Sequence, residues 1–164
     1  MKEFDMTRTS LATKIKNAFA GRRRAGKTVF TDQILARAEA IVERLSAEYP
    51  GYASRDIDIL VKLSERLASD AARADRLGEI SRIAHDMSGQ GTIFGYPLMT
   101  RCAGSLCKAM RVIEPRDEMV VSVVNTHIEA LRAVLRGQIT NGRDKTGLAV
   151  AAGLEILVAS HATR

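Results

Sequence analysis

The chain is short of several things, and each shortage narrows what it can be. Of its 164 residues only 4% are aromatic, none is Trp and only three are Pro. A chain so thin in aromatics and helix breakers, and so rich in Ala, Leu, Arg and Glu, favours helices. There are two cysteines, Cys102 and Cys107. Five residues apart in a helical stretch, they point to different sides of one helix, where a disulfide would be badly strained. No second Cys pair or His pair stands at zinc spacing, so no metal site is expected. The two thiols read as reduced and packed, as in a reducing compartment. No apolar run reaches the length of a membrane span, and the basic N-terminus lacks the apolar stretch of a signal peptide. A cytoplasmic location is therefore expected. Hydrophobic residues at 46% and charged residues at 27% give the balance of an ordinary globular domain, and the length suits one such domain with a real core.

The net charge of +6 is uneven. Residues 1–30 hold eight basic side chains against Glu3 and Asp5, while the remaining 17 basic and 17 acidic groups cancel. Residues 1–29 thus read as a basic leader, with a short amphipathic stretch near Leu11, Ile15 and Phe19, and residues 30–164 as the folded body. Such a leader can bind nucleic acid or anionic lipid weakly, but the plainer reading is a solvated segment.

Six helices are expected along the body. The first starts near Thr31–Asp32, carries Ile34, Ala38, Ile41, Val42, Leu45 and Tyr49 at helical spacing, and ends at Pro50–Gly51. The second runs from about Ser54 to Ala72 with Ile59, Leu60, Leu63 and Leu67 inward, and the third from about Asp75 to Phe94. Gly95 caps it and Pro97 opens the fourth, which carries Leu98, Cys102, Leu106 and Met110 and stops before Pro115. The fifth starts near Asp117. Its Met119–Val124 opening could pass for a strand, but Val120, Val124, Leu131 and Val134 keep helical period as far as Gly137. The sixth covers about Thr146 to Ser160, with Val150, Leu154, Leu157 and Val158 inward. Short loops between helices imply an all-α fold, an antiparallel four-helix bundle with additional N- and C-terminal helices.

The third helix holds the most informative residue. On a wheel of ~100° per residue, Ile80, Ile83, Met87, Gln90 and Phe94 lie opposite His85 and form the expected buried stripe. Within ~60° of His85 lie Gly78, Ser81, Arg82, Ser88, Gly89 and Thr92. Five of these six are small. His85 therefore stands on the solvent face with little around it. Mid-helix Gly89 and Gly91 each cost roughly 1 kcal/mol relative to Ala. Gly91 turns away from His85 and suits a close helix contact. Gly89 is better explained by another protein approaching the ring. A neutral imidazole nitrogen can attack a phosphoryl group in line, and such transfer needs positioning and charge neutralisation more than elaborate side-chain chemistry.

The run Ile83-Ala-His85-Asp-Met-Ser-Gly89-Gln-Gly91-Thr-Ile-Phe94-Gly95 resembles the phosphorylation motif of histidine-containing phosphotransfer (HPt) domains. His85, Gly89, Gly91, Phe94 and Gly95 match its places in order. The segments Tyr96-Pro97-Leu98, Ser105-Leu106-Cys107 and His127–Val134 resemble a bacterial subfamily, so the likeness covers about residues 31–160. It implies a stand-alone phosphorelay intermediate. His85 would be the phosphoacceptor, and Gly78, Ser81, Arg82, Ser88, Gly89 and Thr92 would form the docking surface. The partners would be receiver domains of response regulators and hybrid sensor kinases. The protein would act as a monomer without a cofactor, any Mg²⁺ belonging to the receiver. The sequence departs from the pattern at one place, since Ser88 stands where the family usually has Lys. Arg82, one turn before His85, is the available substitute. The alternative is a pseudo-HPt adaptor that binds receivers without transfer.

Three other signals are weaker. Gly21–Thr28 matches the P-loop pattern, but no strand precedes it and no parallel-sheet pattern follows. His127 falls between Val124 and Leu131 on an inner face, where a hydrogen-bonded core histidine is expected, and His161 near the C-terminus is expected to be inert. Asp86 beside His85 resembles the His-acid pair of sensor-kinase dimerisation domains. Those carry Thr or Asn where this chain has Gly89, and no ATP-binding domain is present, so kinase activity is not expected.

Overall fold

The computed structural model describes residues 28–68 and 72–162. Five α-helices run through them: α1 (Thr28–Glu65), α2 (Arg73–Gly91), α3 (Pro97–Val112), α4 (Val120–Arg136) and α5 (Lys145–Ala162), with a 3₁₀ turn at Arg66–Ala68. No strand occurs among the described residues. The basic leader lies outside them except for Thr28 and Val29, which open α1. The amphipathic stretch at residues 11–19 also lies outside, as does the P-loop-like run up to Lys27.

The first two expected helices are one. α1 is 38 residues long and passes straight through Pro50. An interior Pro costs about 3 kcal/mol and leaves one carbonyl of the preceding turn without its donor. Packing on either side offsets this. Tyr49 and Ala53 are each 1% exposed, and Tyr49 stacks against Phe94 at 5.2 Å and Tyr96 at 5.3 Å between ring centroids. Burial of one large side chain contributes roughly 1.5–3 kcal/mol, and aromatic pairs add to it.

The core stripe of α1 continues as Ile57, Leu60 and Leu63, and Leu67 of the 3₁₀ turn extends it. The expected Ile59 instead faces solvent. N-terminal to Tyr49 the stripe is not buried: Ile34 and Ile41 are exposed, and Leu35, Ala38, Val42 and Leu45 are half-buried. Length explains this. At 1.5 Å per residue α1 spans about 57 Å, whereas α2 to α5 span about 24–29 Å each and cannot flank all of it.

α2 packs chiefly on α3, α3 also on α4 and α5, and α1 on α4 and α2. α2 and α3 run antiparallel, because Ser81 meets Cys107 and Ser88 meets Thr100. Gly91 makes their close approach possible: a Cβ there would sit 2.8 Å from the Thr100 nitrogen and from the Tyr96 carbonyl oxygen. α2 ends at Gly91 rather than Phe94. One further turn follows, in which Gly95 takes the left-handed conformation (φ 87°) and the Tyr96 N–H donates to the Gly91 carbonyl at 2.7 Å. Gln90, expected in the buried stripe, is exposed, and Phe94 is half-buried.

α3 buries Leu98, Cys102 and Leu106, with Met110 half-buried. α4 is helical from Val120 onward, and Val120, Val124, Leu131 and Val134 are all buried. On α5 the inner face is Ala151, Leu154 and Val158, with Leu157 half-buried; Val150 turns outward. Asp144 caps α5 by accepting from the Gly147 N–H at 2.7 Å. No helix among the described residues is long and apolar enough to cross a membrane.

Candidate functional site

α2 buries Leu77, Ile80, Ile83, Ala84, Met87 and Gly91, and this stripe fixes which residues face out. His85 is opposite it and exposed. Its ring makes no hydrogen bond or ion pair with any described residue.

The six residues expected around the ring divide into two sides. Towards α3 lie Ser81, Ser88 and Thr92. Ser81 and Ser88 are half-buried. The Ser88 hydroxyl donates to the Thr100 carbonyl at 3.3 Å, and the Cys107 thiol donates to the Ser81 carbonyl at 3.7 Å. Thr92 is exposed, and its N–H and hydroxyl both reach the Thr100 hydroxyl, at 2.8 and 2.9 Å. These three therefore line the seam with α3 beside the ring. Ser88, in the place where the resemblance expects Lys, is turned into that seam.

Away from α3 the face is open. Gly78 and Gly89 are exposed, and a Cβ added to either would meet nothing within 4 Å. The two mid-helix glycines thus differ in kind: Gly91 is required by packing, whereas no neighbour within the fold requires Gly89. Arg82 is exposed and donates to Asp86 at 3.3 Å. Beyond them stands Asp56 of α1, half-buried and facing the same pair. Burial, then the Asp86 charge, hold the Asp56 carboxyl above the usual carboxylate range, while Arg82 pulls it down. Sequence pattern had not drawn Asp56 to this place. Only the antiparallel packing of α1 on α2 brings it here, and no local spacing encodes that.

The other histidines sit elsewhere. His127 is fully buried. Its Nδ1 lies 2.7 Å from the Val123 carbonyl oxygen and its Nε2 lies 3.0 Å from Ser105 Oγ. The carbonyl can only accept, so Nδ1 carries the proton and Nε2 accepts from the Ser105 hydroxyl. Burial holds this imidazole below its ordinary range, against the Val123 bond. His161 Nδ1 contacts the Leu157 carbonyl on its own helix at 2.9 Å. Both cysteines are free and buried, and burial pushes the Cys102 thiol up to about 11, so it stays protonated at neutral pH. Among the described residues no group of three or more His, Cys, Asp or Glu could hold a metal ion.

No family model matches the chain, and no match appears among curated proteins or solved structures.

Proposed function

We propose that this chain is a histidine-containing phosphotransfer protein of the HPt type, a phosphorelay intermediate that carries a phosphoryl group on His85. The observation that supports this best is an exposed imidazole without an internal partner, flanked by two glycines that no neighbour within the fold requires. An exposed His alone is commonplace. An exposed His on a helix that forgoes stability to keep bulk away from the ring is not.

In this reading α1 from Tyr49 onward and α2, α3 and α4 form an antiparallel four-helix bundle. The N-terminal part of α1 and all of α5 are its additional helices, and residues 1–29 are a leader. A receiver domain lowers its aspartyl phosphate over His85. A ring nitrogen attacks phosphorus in line, the P–N bond forms, the acyl-phosphate P–O bond breaks and the aspartate leaves as carboxylate. A second receiver reverses the step. The receiver supplies Mg²⁺, and this chain needs no cofactor. It works in the cytoplasm, as a monomer, between hybrid sensor kinases and response regulators, without kinase activity of its own.

The test is transfer of labelled phosphate from phosphorylated receivers of the source genome. Label should appear on the wild-type chain and be absent from His85→Gln. Label that persists in that variant moves the acceptor elsewhere. One observation favours a second reading, an adaptor that binds receivers without transfer: Ser88 leaves no ammonium where HPt domains usually carry one, and its hydroxyl is committed to Thr100. Receiver binding without any label would select that reading.

A further inference from the structure

Arg82 occupies a particular place around α2. Moving round the helix from the solvent face towards α1, the order is His85, then Arg82 at ~60°, then Asp86 at ~100°, and across the gap Asp56. In that order around the helix, Arg82 comes between His85 and the two carboxylates, and its charge acts on both of them. Its one contact there is a single-pronged pair with Asp86 at 3.3 Å, in which the side chains are 65% and 50% exposed. An i, i+4 pair so open to water is weakly held.

We propose that Arg82 is the positioning residue for a phosphoryl group on His85, and that it engages that group by giving up Asp86. This rests on the reading of His85 as a phosphoacceptor. A phosphoryl group brings close to two negative charges and three acceptor oxygens. The planar guanidinium fork grips such a group with two parallel N–H donors, which the present contact with Asp86 does not use. Left without the guanidinium, the phosphoryl would share that side of the helix with Asp86 and Asp56, and like charges would raise its proton affinity. Arg82 thus carries a weak partner in the resting chain and exchanges it for a stronger one when His85 is loaded. Asp86 tunes the exchange as the competing anion.

The full-length chain is loaded with phosphoramidate, a small donor that needs no receiver. Its P–N bond breaks, ammonia leaves, and a new P–N bond forms to the ring; label lost in His85→Gln is assigned to that site. Phosphorus NMR then follows protonation of the bound phosphoryl against pH. Arg82→Gln should raise its proton affinity roughly threefold or more, Arg82→Lys should restore part of the wild-type value, and Asp86→Asn should lower it. Circular dichroism should be unchanged in all three, because these side chains lie outside the core. A phosphoryl titration unmoved by Arg82→Gln overturns the inference and leaves the phosphoacceptor reading standing. Failure of phosphoramidate to load His85 at all removes the reading itself, and the inference falls with it.

Discussion

The outer face of α2 and the inner face of α4 each carry a histidine, and the two are handled in opposite ways. His127 is sealed in the core with both ring nitrogens satisfied by Val123 and Ser105. His85 is in water with neither nitrogen engaged by the fold. The surroundings differ in the same sense. Around His127 lie Val120, Val123, Val124, Ile128 and Leu131, all buried, whereas His85 has open glycines before and after it. A buried imidazole with two partners is accounted for by stability alone. An exposed one, on a helix weakened by glycine, contributes nothing to stability that the structure reveals. Nothing within the fold accounts for those open surroundings, which is what the phosphoacceptor proposal rests on.

Exchanging the side chains tests this division, and the largest effect is expected there. His85→Gln should abolish label transfer and leave the melting curve within experimental error. His127→Ala should do the reverse. It removes a fully buried ring and leaves the Ser105 hydroxyl unpaired, while the Val123 carbonyl keeps its helical N–H, at a cost of about 3 kcal/mol. Label transfer should persist in whatever fraction stays folded. Denaturant melts paired with single-turnover transfer would read both. A His127 variant that melts normally yet cannot be labelled would break the comparison and make His127 the acceptor.

The face of His85 was legible from the sequence because a helix wheel needs only local spacing. The same held for His127 as a core residue, for α4 as helix rather than strand, and for Gly91 at a close helix contact. What failed was decided by contacts between distant segments. Pro50 and Gly51 read as a stop, yet Tyr49 packs against Phe94 and Tyr96 across some forty-five residues of chain and carries the helix through. Ile59 and Val150 were placed inward from their hydrophobicity, although the stripes that pack run through Ile57 and Leu60 and through Ala151 and Leu154. Around His85, the bonds of Ser88 and Thr92 to Thr100 are not legible in the sequence, because nothing local announces Thr100 as their partner. Asp56 was missed for the same reason.

The two glycines of α2 sharpen the contrast at a smaller scale. Gly91→Ala forces a methyl to within 2.8 Å of the Thr100 nitrogen and the Tyr96 carbonyl oxygen, both backbone atoms that cannot swing aside. A loss of about 2 kcal/mol is expected. Gly89→Ala meets nothing and should gain up to about 1 kcal/mol. Gly89→Leu should fold equally well but lose receiver affinity, since its side chain fills space beside the ring. Thermal melts and receiver titrations on the three variants check this. Unfolding of Gly89→Leu would make that glycine a packing residue, and normal receiver binding would move the docking surface elsewhere.

The smallest effect is a pH dependence that should belong to one histidine. Burial holds His127 below the ordinary imidazole range. The unfolded chain therefore binds a proton, as pH falls through about 6.5, that the folded chain refuses. Folding stability should decline as the medium is acidified below that point, no more steeply than about 1.4 kcal/mol per pH unit from this group, and should level off once the buried ring itself is protonated. Asp56 titrates with the opposite sign: its folded carboxyl is raised, so it disfavours the folded state as pH rises, and it does so in the lower, carboxylate range. Between pH 7.5 and 5.5 the His127 contribution should therefore be separable. The measurement is denaturant unfolding at both pH values for the wild type, His85→Gln and His127→Gln. The decline should persist in His85→Gln, which leaves the core untouched, and should shrink in His127→Gln. An equal decline in all three would mean that the proton is taken up elsewhere, and that burial of His127 is not what separates the two rings.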